Sequence, residues 1–161
     1  MKDEDFSSCY EAALRFLDYR QRSEAELSNH LLYKRKYSAA TVKLVLVKLK
    51  QIKLVDDRVF ALNWVIDRVT HKQKSSAMIR HELLQKGIDI NIVNLVIADI
   101  NDEANALKAG IKKARLLGNF NYLEFRSRLA PYLGRRGYSG DVIYKVIPIL
   151  WDAVRRENPG K

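Results

Sequence analysis

An internal repeat limits what this chain can fold into more than any other feature. Ser38, Asp89 and Ser139 lie 51 and 50 residues apart, and the positions 4, 7, 8 and 11 residues after each are aliphatic in all three cases. They read Val42, Val45, Leu46 and Leu49; Val93, Val96, Ile97 and Ile100; and Ile143, Val146, Ile147 and Leu150. Spacings of three and four mark one face of an α-helix, and a Ser or Asp at the head accepts hydrogen bonds from the first unsatisfied backbone N–H groups.

Another helix ends just before each of these caps, in LLYKRKY (31–37), LLQKGI (83–88) and YLGRRGY (132–138). Gly87 and Gly137 stand where a chain leaves a helix in the left-handed conformation, and Lys36 takes that place in the first unit. Ser23 with Glu26, and Asn121 with Glu124, have the spacing of a capping box; Ser75 or Ser76 serves the second unit. Leu27 with Leu31, Ile79 with Leu83, and Leu129 with Leu133 supply the apolar face. A further helical pattern precedes each middle helix, around residues 10–19, 60–68 and 104–116.

The chain is therefore expected to be all-α, with three tandem three-helix repeats stacked into an elongated, curved array. The boundaries read as a tail over 1–9, repeats over 10–57, 58–103 and 104–152, and a tail over 153–161. Pro131 and Pro148 fall inside helical patterns and are expected to kink or interrupt them. The acidic, polar start MKDEDFSSCYEA has no secretory or transit character, and lysines break the longest apolar stretch, residues 42–55. The expectation is a cytoplasmic protein without a membrane span. The lone Cys9 and the scattered His30, His71 and His81 suggest neither a disulfide nor a metal site.

Asp56 and Asp57 close the first repeat and lead into the helix that carries Phe60, Ala61, Trp64 and Val65, where capping carboxylates are favourable. The Asp102–Glu103 pair at the next junction supports an architectural role. The competing reading, a metal-dependent nuclease, needs further carboxylates converging on the pair. With no Gly-rich phosphate loop or nucleophile motif, the expectation is a non-enzyme without cofactor or metal.

Net charge is +10, distributed as +2 over residues 1–57, 0 over 58–105 and +8 over 106–161. Lys112, Lys113 and Arg115 lie on the first helix of the third repeat, Arg126 and Arg128 on the second, and Arg135 and Arg136 at its end. Lys34, Arg35 and Lys36 form a cluster at the corresponding bend of the first repeat. These ten are the candidate partner- or nucleic-acid-binding residues, by attraction to phosphates or an acidic protein surface. Tyr122, Tyr132, Tyr138, Phe125, Trp64 and Trp151 are read as core rather than as base-stacking groups.

Several short motifs in order resemble the RecX family of RecA regulators. They are Arg22-Ser23-Glu24-Ala25-Glu26-Leu27, then Asp56-Asp57-Arg58-Val59-Phe60-Ala61, then the stretch from Ile79 to Ile88 (IRHELLQKGI), and Arg136-Gly137-Tyr138. The resemblance runs from about Tyr10 to Asp152. Departures fall at turns: Lys36, Lys53 and Ser75 stand where the family has glycine. The resemblance implies a regulator that lies in the groove of the RecA filament and impedes ATP hydrolysis, strand exchange or filament extension in recombinational DNA repair and the SOS response; the chain is expected to be a monomer. Single- or double-stranded DNA is the further partner. The alternative is a stand-alone helical DNA- or RNA-binding protein.

Overall fold

The computed structural model describes residues 2–157, with side chains from residue 5 onward. Nine helices follow one another among them: α1 (Lys2–Asp18), α2 (Glu24–Asn29, continued by a π-helical turn His30–Lys34), α3 (Ala39–Gln51), α4 (Asp57–Thr70), α5 (Ser76–Gln85), α6 (Ile90–Ile97), α7 (Asp102–Leu116), α8 (Tyr122–Gly134) and α9 (Gly140–Glu157). No strand occurs among the described residues. The fold is thus all-helical, with three three-helix repeats.

The repeat register explains the core. Nine of the twelve aliphatic positions are buried, while Ile97, Ile100 and Ile143 are half-buried. All three caps form: Ser38 Oγ accepts from Thr41 N at 3.1 Å, Asp89 Oδ1 from Asn91 N at 2.8 Å, and Ser139 Oγ from Val142 N at 3.3 Å. Lys36, Gly87 and Gly137 all have positive φ, at 59°, 74° and 90°. Each following residue donates its N–H back across the helix end, Tyr37 to Leu31 O, Ile88 to Leu83 O and Tyr138 to Leu133 O. The first of these bonds spans one residue more than the others. The π-helical turn at His30–Lys34 absorbs that extra residue, which leaves the exit geometry unchanged.

The chain divides into two compact units, residues 1–64 with 82–96, and residues 65–81 with 97–161. The first holds a core of α1, α2 and α3 around Leu27, Leu31, Val45 and Leu49. The second holds one of α7, α8 and α9 around Phe125, Leu129, Leu133 and Leu150. The unit boundary passes through α4 and α5, so the second repeat is shared rather than separate. A module of its size buries too little apolar surface to stand alone.

One junction between successive repeats lies inside each unit. In the first, the completely buried Ser23 caps α2 by accepting from Glu26 N at 3.1 Å, and donates its hydroxyl to Lys86 O at 2.6 Å. Asp57 Oδ1 accepts from Glu24 N at 2.8 Å. A Cβ on Gly87 would lie 2.4 Å from Ala25 Cβ. In the second, the completely buried Ser75 caps α5 through Met78 N at 3.2 Å and donates its own N–H to Arg136 O at 3.0 Å. Asp102 accepts from Ser76 N at 2.8 Å and Ser76 Oγ at 2.7 Å, and a Cβ on Gly137 would lie 2.5 Å from Ser75 Oγ. In both, the start of one repeat's middle helix meets the glycine exit of the next repeat's middle helix. Glycine is needed there for positive φ and for close approach alike.

Four sequence expectations change. The first helix starts at Lys2 and buries Cys9, so the stretch expected as a tail over 1–9 is helical from Lys2 onward. Helix α9 runs to Glu157 because Val154 continues the buried stripe four residues after Leu150; the remainder of the expected 153–161 tail, residues 158–161, lies outside the described residues. Helices α8 and α9 are unbroken through Pro131 and Pro148. Both prolines are exposed, which leaves water to satisfy the carbonyl that each deprives of a partner. Among the aromatics read as core, Phe125 and Tyr138 are buried and Tyr132, Trp64 and Trp151 half-buried, but Tyr122 is exposed.

Candidate functional site

The two aspartates of 56–57 are both occupied by backbone donors, each on a different helix. Asp56 Oδ1 accepts from Arg58 N and Val59 N at 2.9 and 3.1 Å, capping its own α4, whereas Asp57 caps α2. Burial pushes the Asp57 carboxyl above its ordinary range, and the Glu24 N–H opposes that shift. The counterpart at the next junction is Asn101–Asp102 rather than Asp102–Glu103. Asn101 caps α7 through Ala104 N at 2.9 Å, Asp102 caps α5, and Glu103 pairs with Lys145. The geometry makes these side chains helix caps. Among the described residues no group of three or more His, Cys, Asp or Glu is placed to hold a metal ion.

Of the ten candidate cations, three lie in the first compact unit. Lys34, Arg35 and Lys36 are exposed at the end of the π-helical turn. Beside them is a groove of about 490 Å³ lined by Phe16, Glu26, Asn29, His30, Tyr33 and Lys34. The His30 ring stacks on Phe16 at 3.8 Å, Arg22 lies over the same Phe16 ring, and Tyr33 is 75% exposed. Burial foremost, then the positive charges of Arg35, Lys34 and Arg22, lowers the His30 pKa, so its imidazole is neutral at pH 7. Glu26 on the groove wall is fully engaged by Arg20 at 2.8 Å, Lys86 at 2.6 Å and Ser23 N at 3.3 Å. Burial opposes its ionisation, but these bonds outweigh burial and hold its carboxyl down at about 2.

The other seven lie in the second unit, and their environments differ. Lys112, Arg126, Arg128 and Arg135 are exposed and Lys113 is half-buried. Arg115 forks onto Glu157 at 3.0 and 2.9 Å, which neutralises it locally and holds the Glu157 carboxyl below its usual range. Arg136 turns inward: its guanidinium lies 3.8 Å from the Tyr132 ring centroid and bonds Tyr132 O at 3.3 Å, while its Nε is buried with no partner. Its backbone carbonyl, which accepts from Ser75 N, is part of the repeat junction. Arg128 lies 4.3 Å over Phe120, and Arg155 lies 4.3 Å over Trp151.

Sequence reasoning passed over Arg155, Phe16 and Tyr33. The spacing of Trp151 and Arg155, four residues apart on one helix, carried the signal for the first. Tyr33 lies two residues after Leu31, off the Leu27–Leu31 stripe, and the alternation of buried and exposed faces carried no signal for its role beside the groove. No helix among the described residues is long and apolar enough to cross a membrane.

Comparison with known proteins places these features in a family. Residues 9–49, 56–96 and 101–147 match the family models for the first, second and third three-helix domains of RecX. The chain is 32% identical over 147 residues to the regulatory protein RecX of Chlorobium phaeobacteroides (strain BS1), covering 91% of this chain and 96% of that one. It is 32% identical over 143 residues to the regulatory protein RecX of Mycolicibacterium smegmatis, covering 84% and 76%. The crystal structure of RecX from Lactobacillus salivarius has the same fold, with a TM-score of 0.80 at 23% identity over 94% of this chain and 99% of that one. With three RecX domains in order along its length, the chain belongs to the RecX family of regulatory proteins.

Proposed function

We propose that this protein regulates the RecA recombinase by binding the RecA–DNA filament, and that binding inhibits ATP hydrolysis, strand exchange and filament extension during recombinational repair. The observation that carries this reading is the ordered set of three RecX domains spanning nearly the whole chain. The exposed cations of both units support it, because positive potential speeds encounter with a nucleoprotein surface rich in phosphate and carboxylate. In this reading the chain works as a cytoplasmic monomer and carries out no chemistry of its own. The test is the DNA-dependent ATPase of the cognate RecA as the protein is added from far below stoichiometry. Loss of hydrolysis without sequestration of the DNA is expected; unchanged hydrolysis overturns the reading.

A second reading is direct nucleic-acid binding without a recombinase. The +8 charge of residues 106–161 favours it. A protein with about 6–10 phosphate contacts loses roughly 10³–10⁵ in affinity between about 50 and 200 mM salt. Tight binding of bare DNA at physiological salt supports this second reading over the first.

A further inference from the structure

We propose that the grooves between the second and third helices of repeats one and three are twin docking sites, each for an acidic protein segment with apolar anchors. The observation is one of register. The groove of the first repeat, about 270 Å³, lies between α2 and α3; that of the third, about 340 Å³, lies between α8 and α9. Both are lined by the first, fifth and ninth residues after the cap of the middle helix and by the first, fourth, fifth and eighth after the cap of the third helix. Val42 and Leu46 form the apolar floor of one, and Ile143 and Ile147 that of the other. Each groove lies within a single compact unit.

The lining chemistry selects the occupant. Aliphatic walls between two helices suit the apolar stripe of an amphipathic segment, with anchors three and four residues apart. The floors, Val42 with Leu46 and Ile143 with Ile147, offer no side-chain donor to a base or phosphate. Each rim adds an exposed cation, Lys43 in one groove and Arg126 in the other, and neither is in an ion pair among the described residues. The single acidic liner, Glu24, is held by Lys50 at 2.9 Å. Tyr144, 74% exposed, adds an aromatic edge to the third-repeat groove. Two like sites on one chain match a partner that presents the same segment repeatedly. That last step deepens the filament-binding reading and rests on it.

The experiment titrates the full chain with a fluorescein-labelled helical peptide of Glu, Ala and Leu, its leucines at i, i+3 and i+4, followed by anisotropy. Two equivalents are expected to bind. The double variant K43E/V47S is expected to lose one site and R126E/Y144S the other; all four side chains are solvent-facing, and unchanged far-UV circular dichroism checks the fold. The inference is overturned if neither variant changes the stoichiometry, if a peptide with Lys in place of Glu binds equally, or if a single-stranded oligonucleotide displaces the probe. A chain that takes up two peptides yet does not co-sediment with RecA filaments supports the grooves and removes the filament reading. One that co-sediments but takes up no peptide at these grooves overturns the inference and leaves that reading standing.

Discussion

The two repeat junctions share a backbone solution and differ in the side chains that reinforce it. At both, a buried serine caps a middle helix, an aspartate from the next repeat caps the same helix, and a left-handed glycine lets the neighbouring helix end close in. Three residues after the serine, however, the first junction has Glu26, clamped by Arg20 and Lys86, while the second has Met78, packed against Gly137. Beyond the glycine, the first continues with Ile88 and the second with Tyr138. The Tyr138 hydroxyl donates to Gln73 O at 2.9 Å, and burial foremost pushes its pKa up to about 12. The geometry of repeat docking therefore belongs to the glycine, serine and aspartate; the ionic or neutral character of the joint is open to substitution.

Breaking the shared part has the largest expected effect. Gly87→Ala and Gly137→Ala should each cost about 2–4 kcal/mol, from strain at positive φ together with overpacking against the neighbouring repeat. Chemical denaturation measures this, and equal losses at both junctions are expected. A loss under about 1 kcal/mol at either would mean that the close approach relaxes freely.

The next effect separates the junctions. Glu26 is ionised in the folded protein down to pH about 2, below its usual value of 4.5. A lowered carboxylate pKa stabilises the fold above the unfolded value and ceases to do so as pH falls through the folded one. Glu26→Gln is therefore expected to cost about 2 kcal/mol at neutral pH, with the difference from wild type closing between pH 4.5 and about 2. Met78→Leu should show no such pH dependence. A constant gap for Glu26→Gln across that window would show that the carboxylate's charge contributes nothing.

Removing either buried cap tests whether the serines are equivalent. Ser23→Ala and Ser75→Ala are each expected to lose about 1–2 kcal/mol. Ser23→Ala should lie at the upper end, because it also strands the Lys86 carbonyl. The smallest effect is a gain. Lys36 and Lys53 both hold φ near 60°, at 59° and 57°, and both are exposed. Replacing either by glycine relieves the left-handed penalty against a larger unfolded-state entropy, for a net gain of about 0.5–1 kcal/mol. The rise in melting temperature measures the φ penalty alone, so the excess of the Gly87→Ala and Gly137→Ala losses over it is the part that belongs to packing.

Much of this was legible from the amino-acid order alone. The buried stripe at Val42, Val45, Leu46 and Leu49 and its copies, the caps Ser38, Asp89 and Ser139, and the left-handed exits at Lys36, Gly87 and Gly137 all follow from interactions within one or two helical turns. Periodicity and local hydrogen bonding encode such features directly. Long-range partners were decided only in the tertiary structure. Asp57 and Asp102 cap helices of the preceding repeat, the Arg136 carbonyl accepts from Ser75 N across a junction, and Arg115 is spent on Glu157. The second repeat divides between two compact units, and grooves of equal register open in the first and third. The physical reason is that a side chain's neighbour 26 or more residues away depends on how closely two backbones approach. The spacing of apolar residues says which face is buried but not what it meets.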